Sequence, residues 1–267
     1  MGDISVHLVD RGRVHADMGY VLSGHSMGSA SNPNPDHEMA EFVVWNAVID
    51  GPDQTLLWDT GSNPEAGDGY WPAPLYEAFS HVDAAEHTLR ADLDAVGYSL
   101  SDIDGVVMSH LHLDHAGGLV EFAGTDVPIY VHEDELKFAY YSAKTTEGSI
   151  AYLASDFDHD LNWNIVHGDE HTLFDGVRLY HLPGHTPGVM GAHVETPDGD
   201  VLIAGDECYV EGNYADEVPL GPGLLWSDQH WFDSLQKLKE LERRTGGDVL
   251  FGHDLDRFRS FEGGWNV

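Results

Sequence analysis

The chain has 267 residues with 47 Asp and Glu against 12 Lys and Arg, a formal net charge of −35. Hydrophobic residues at 42 % supply a core and exclude intrinsic disorder, and so few cations exclude recognition of nucleic-acid phosphates or anionic membranes. A single cysteine, Cys208, excludes an internal disulfide framework, and the absence of a long apolar run or a basic leader predicts a soluble cytoplasmic protein.

The kind of acid matters as well: 30 of the acids are Asp and only four lysines occur, Lys137, Lys144, Lys237 and Lys239. Short carboxylates bind hydrated cations and few lysine stems add apolar surface, a pattern that fits a high-salt cytosol. At ~1 M salt the screening length is about 3 Å, so such a surface no longer repels itself. Folding and activity are then expected to weaken in dilute buffer.

Apolar runs bounded by turn residues predict strands at 4–9, 42–49, 54–58, 105–108, 128–131, 164–166, 177–182, 190–194, 201–204 and 249–251. Asp50-Gly51-Pro52-Asp53 and Pro197-Asp198-Gly199-Asp200 are the turns of two hairpins. Helical spacing links Leu89, Leu93 and Val96, and again Trp231, Leu235, Leu238 and Leu241, with Ser227 as cap and Gly246-Gly247 as stop. A third helix is expected near 133–143, with Glu133, Asp134 and Glu135 in its first turn as a solvated acidic face. The acid run 156–160 reads the same way. Stretches 23–40 and 63–74 are irregular, either functional loops or disorder. Length and the absence of a linker or repeat fit one α/β domain over 1–267.

The strand at 105–108 runs into Ser109-His110-Leu111-His112-Leu113-Asp114-His115-Ala116-Gly117-Gly118. In an extended segment positions 110, 112 and 114 share a side, and a turn at the glycines would redirect His115, so two metals can be held side by side. Imidazole with carboxylate suits zinc and also iron, manganese or cobalt. Three further strand ends close on a small residue and then a ligand type: Pro183-Gly184-His185-Thr186-Pro187-Gly188, Ala204-Gly205-Asp206 and Gly252-His253-Asp254.

The ordered set His110-x-His112-x-Asp114-His115, His185, Asp206 and His253, with Trp58-Asp59-Thr60-Gly61 upstream, resembles the metallo-β-lactamase superfamily of hydrolases. The resemblance implies an αββα sandwich with two divalent metal ions, zinc first among the candidates, at one edge. His110, His112 and His185 would bind one ion and Asp114, His115 and His253 the other, with Asp206 and a hydroxide between them. Asp59 would orient a ligand or the loop beneath it. Within the superfamily the chain is most similar to the N-acyl homoserine lactone lactonases, through His-Leu-His-x-Asp-His-Ala-Gly-Gly, Pro-Gly-His-Thr-Pro-Gly and Tyr209 three positions after Asp206. That likeness implies opening of a lactone ring by the hydroxide, as in quorum quenching, with Tyr209 stabilising the carbonyl oxygen and Asp114 carrying the proton. A small-molecule lactone is the expected partner, and a homodimer is compatible with the likeness.

Met27, Trp71 and Trp226 stand in irregular segments and would line an acyl pocket; core packing or a dimer contact explains them equally. His25 would border the pocket, whereas His181 reads as structural. Cys208 reads as a small buried hydrophobe, because Asp206 already fills the bridging position. Rival readings are a glyoxalase II-like thioesterase, disfavoured by the scarcity of basic residues, and a non-catalytic metal-binding protein, disfavoured by the complete ligand set.

Overall fold

The computed structural model describes residues 4–262. Twelve strands occur among them: β1 (Ser5–Asp17), β2 (Met39–Asp50), β3 (Thr55–Trp58), β4 (Phe79–His81), β5 (Gly105–Val107), β6 (Pro128–His132), β7 (Asn162–Val166), β8 (Glu170–Phe174), β9 (Val177–His181), β10 (Met190–Val194), β11 (Val201–Ile203) and β12 (Asp248–Leu250). They form a seven-stranded sheet in the order β4-β1-β2-β3-β5-β6-β7 and a five-stranded sheet in the order β12-β11-β10-β9-β8. From β3 through β7 the first sheet is parallel, as are β11 and β12 in the second, so several strands end at one rim.

Alternation within the strands builds the layers. In β3, Leu56 and Trp58 face the inter-sheet core with Met190 and Ile203, whereas Leu57 faces the outer layer of Leu89, Leu93 and Phe122. In β11, Val201 and Ile203 point between the sheets, and Leu202 meets Trp231, Leu235 and Leu238 on the far side. Strands buried on both faces need apolar residues at every position, which is why they read as unbroken runs. The result is the four-layer αββα sandwich.

The helix Asp228–Thr245 is capped by the Ser227 side chain, which accepts from the His230 backbone N–H, and ends at Gly246 in the left-handed region. Helices Leu89–Ala95 and Glu133–Lys144 also fall where the spacing places them. Several elements escape the pattern, β4 among them. β1 continues past its apolar start, through an irregularity between Asp10 and Arg13, because Arg11 is buried and ion-paired with Asp92. β8 is an edge strand of half-exposed and exposed residues, and Leu255–Glu262 forms a helix opened by Asp254, whose side chain accepts from the Arg257 backbone N–H at 2.9 Å.

Candidate metal centre

The ligand types converge at the rim where β3, β5, β9, β11 and β12 end. The segment after β5 is not extended throughout: the chain turns at His112 into a short helix, Leu113–Ala116, which turns Asp114 and His115 toward His253 while the His115 ring stays 4.1 Å from that of His110. Two donor groups result, His110/His112/His185 and Asp114/His115/His253, with Asp206 beside His110 and His115. The Asp206 Oδ2 lies 3.1 Å from His253 Nε2, 3.4 Å from His115 Nε2, 3.6 Å from His185 Nε2 and 3.8 Å from His110 Nε2. It therefore faces nitrogens of both groups.

The ligand rings are set by what their outer nitrogens touch. His115 Nδ1 is 2.9 Å from Asp59 Oδ2, His253 Nδ1 donates to the Val43 carbonyl at 2.8 Å, and His185 Nδ1 donates to the Leu224 carbonyl at 2.6 Å. A fixed Nδ1–H leaves the Nε2 lone pair directed inward, the tautomer a metal requires. Asp59 also accepts from the Ser109 backbone N–H and hydroxyl, both at 2.7 Å, so it holds His115 and the turn into His110 together. It does this with φ of 55°, a left-handed conformation that Asp tolerates better than most residues.

The donor set fits a pair of cations. Inward-facing nitrogens crowd one another, with His185 Nε2 at 2.9 Å from His112 Nδ1 and 3.2 Å from His110 Nε2. The buried Asp206 Oδ1 and His115 Nε2 have no hydrogen-bond partner. Burial, with neighbouring imidazoles, pushes His110 and His112 well below the ordinary histidine range, so both are neutral donors. Such convergence of lone pairs is costly unless a cation satisfies them. Gly252 permits it, because a Cβ there would sit 2.5 Å from Asp206 Oδ1.

A second group, His132, Asp134 and His181, lies under the outer face. Its two rings are stacked at 3.8 Å and 14°, His132 Nδ1 accepts from the Asp134 backbone N–H, and His181 Nε2 donates to the Pro187 carbonyl. Parallel planes do not converge on a point, so His181 is structural.

Beside the metal centre opens a cavity of about 230 Å³ bordered by Asp114, Tyr209 and His253 and walled by Val14, Phe42, Trp71, Leu75, Ile150 and Leu224. The Tyr209 ring lies 4.4 Å from His253 and 5.6 Å from His185. Burial and the Asp206 and Asp114 carboxylates push its hydroxyl well above the ordinary phenol range, so it is a neutral donor. Of the three apolar candidates, only Trp71, 2 % exposed, borders this cavity. Met27, 73 % exposed, lines an outer groove with Tyr20 and Pro222, and Trp226, 45 % exposed, lies against His230 in a groove with Phe138 and Tyr141. Both stand in loops whose course the residue pattern does not dictate. His25 is held outward by Glu38 at 2.8 Å, and Cys208 is buried.

The acidic runs are not uniformly solvated. Glu135 is fully buried and hydrogen-bonded to loops that carry ligands; its spacing with Ala139 and Ser142, which share the buried helix face, is the signal that marks it. Asp156 is also buried and accepts from the Tyr70 hydroxyl at 2.6 Å. Burial pushes its carboxyl up to about 7, against the pull of that hydroxyl and with the Asp114 charge adding to the rise. In the unfolded chain the same group ionises near 3.8, so unfolding releases a proton between pH 4 and 7 and the native state loses stability as pH rises through that window. Asp156→Asn, neutral in both states, is expected to gain in melting temperature over the parent across that window. At roughly 1.4 kcal/mol per pH unit and 2–4 °C per kcal/mol, the gain is about 10 °C at pH 7 and little at pH 4. Melting curves of the chelator-treated proteins measure it; a constant difference with pH refutes the assignment.

Two stacked sheets that deliver five imidazoles and two carboxylates to a shared rim, beside a cavity with a tyrosine donor, define a protein of the metallohydrolase class. Residues 40–253 match the metallo-beta-lactamase superfamily. The N-acyl homoserine lactonase AiiB of Agrobacterium fabrum is 31 % identical over 264 residues, covering 95 % of this chain and 94 % of that protein. An N-acyl homoserine lactonase of a Bacillus species is 31 % identical over 243 residues, covering 90 % of this chain and 91 % of its own. A solved N-acyl homoserine lactone hydrolase, with the product N-hexanoyl-L-homoserine at its catalytic metal center, superposes with a TM-score of 0.82 at 27 % identity, covering 97 % of both chains. The chain belongs to the metallo-β-lactamase superfamily, within the family of N-acyl homoserine lactonases.

Proposed function

We propose that this chain is a metal-dependent hydrolase that opens the ring of N-acyl homoserine lactones. The observation that carries the reading is the juxtaposition of the paired donor groups with Asp114, Tyr209 and an apolar cavity suited to an acyl chain. His110, His112 and His185 would hold one divalent ion and Asp114, His115 and His253 the other, with Asp206 shared; zinc suits these nitrogen and oxygen donors. Two cations so held supply hydroxide at neutral pH and polarise a carbonyl.

The chain's own residues do the rest. Tyr209 donates to the carbonyl oxygen as negative charge develops there, and Trp71 with its neighbours takes the acyl chain and excludes water. Hydrolysis forms a bond from water oxygen to the carbonyl carbon and breaks the bond from that carbon to the ring oxygen. Asp114 takes the proton released by the attacking oxygen and gives it to the departing alkoxide, leaving a hydroxy acid.

The acid-rich, lysine-poor surface supports a salt-rich cytosolic setting on a single domain, and a homodimer is part of the same reading. Among the described residues no helix is long and apolar enough to cross a membrane. Purified protein is expected to hydrolyse N-acyl homoserine lactones faster than simple lactones, and faster in molar salt than in dilute buffer. A panel of both substrates and a glutathione thioester, read by pH-stat at both salt levels, checks this. Hydrolysis of the thioester alone overturns the lactonase reading, and equal activity and stability at both salt levels overturns the salt adaptation.

A further inference from the structure

We propose that Glu135 is a positioning residue dedicated to the three-histidine group, clamping the His110/His112 loop to the His185 loop. The proposal rests on the metal-centre reading above. Glu135 stands in the first turn of the helix Glu133–Lys144, after β6, and none of its surface reaches solvent. Its Oε1 accepts from the Leu111 backbone N–H at 2.9 Å and from the Tyr152 hydroxyl at 2.8 Å, and its Oε2 accepts from the Thr186 hydroxyl at 2.6 Å. Leu111 lies between His110 and His112, Thr186 follows His185, and the Tyr152 ring rests 4.5 Å from the His112 ring. One carboxylate thus ties together the segments that carry all three imidazoles.

The two loops come from different sheets, β5 in the first and β9 in the second, and at their base one backbone bond joins them, from the Met190 N–H to the Ser109 carbonyl at 2.8 Å. Glu135 adds a link beside the imidazoles themselves, with both oxygens. The contact is tightened at Gly188, where a Cβ would fall 2.1 Å from the Glu135 nitrogen. The other donor group has its own carboxylate, Asp59 on His115. Asp59 also holds the turn into His110 through Ser109, so it is Glu135, bonded beside His110, His112 and His185, that serves one group separately, a division that makes the proposal testable.

The experiment is a competition titration of metal-free protein with zinc and a chromophoric chelator, which reads affinity without turnover. The parent is expected to show two affinity classes. Glu135→Ala should weaken one class by about 10- to 100-fold and leave the other within about twofold, whereas His253→Ala, which removes a donor of the second group, should weaken the other class. Glu135→Gln should restore most of the loss, since its oxygen still accepts from Leu111 and its amide donates to the Thr186 hydroxyl. Should Glu135→Ala fail to fold, Thr186→Val and Tyr152→Phe carry the test, each weakening the same single class by a few-fold. The proposal is overturned if these variants leave both classes unchanged, weaken both equally, or weaken the class that His253→Ala weakens. A parent with no tight zinc class refutes instead the metal-centre reading itself.

Discussion

Asp114→Asn is expected to lower kcat for lactone opening by about 100- to 10,000-fold while the protein keeps its metal, the range typical of a lost general acid–base group. Asp114 is the one carboxylate of the donor set that reaches the cavity: its side chain is 17 % exposed, whereas that of Asp206 is fully buried. Its Oδ2 lies 3.7 Å from both His115 Nε2 and His253 Nε2, so it also belongs to the second donor group. Asparagine retains an oxygen at that place and loses the ability to take up and return a proton. Metal content by elemental analysis and single-turnover rates separate the two roles. A substrate whose leaving group needs no proton, such as an aryl ester, should suffer less than the lactone. Full lactone turnover in a metal-replete Asp114→Asn protein would remove this residue from proton transfer.

Stripping the metal is expected to abolish turnover and to lower the melting temperature by roughly 5–10 °C for each site emptied. An ion present at about 100-fold over its Kd contributes about 2.7 kcal/mol, and ~1 kcal/mol shifts a domain of this size by about 2–4 °C. The physical reason is the donor set itself: without cations, Asp206 Oδ1 and His115 Nε2 are buried with no partner. Burying unpaired polar atoms costs free energy that the cation would otherwise offset. Scanning calorimetry before and after chelation, with restoration by zinc, measures the effect. Protein purified without chelator that carries less than one metal per chain would count against a dinuclear enzyme.

How far the residues alone disclosed this site depends on the kind of residue. The His110-x-His112-x-Asp114-His115 run is local chemistry on consecutive positions, and the strand ends before His185, Asp206 and His253 announce themselves by apolar runs closing on a small residue. The buried strands were equally legible, because both of their faces are apolar. The turn at His112 was not, since helical entry there depends on contacts such as Leu113 N–H to the Ala151 carbonyl, from a distant loop. Glu135 and Asp156 read as solvated acids because charge is the stronger prior until a partner is visible.

The pocket shows the same division. Trp71, Met27 and Trp226 are alike as residues in irregular segments, and only the paths of those segments separate one that walls the metal cavity from two that do not. What the sequence by itself determined was the inventory: layers from alternation and spacing, ligand types at strand ends, and the −35 charge. The pairing of donors into two groups and the role of Asp59 are implied by family likeness, and what only the tertiary structure decided was the turn at His112, the carboxylate Glu135 and the cavity wall. Each of those depends on contacts between residues far apart in the chain, and local patterning carries no record of such contacts until the two sheets pack and bring their ends to one rim.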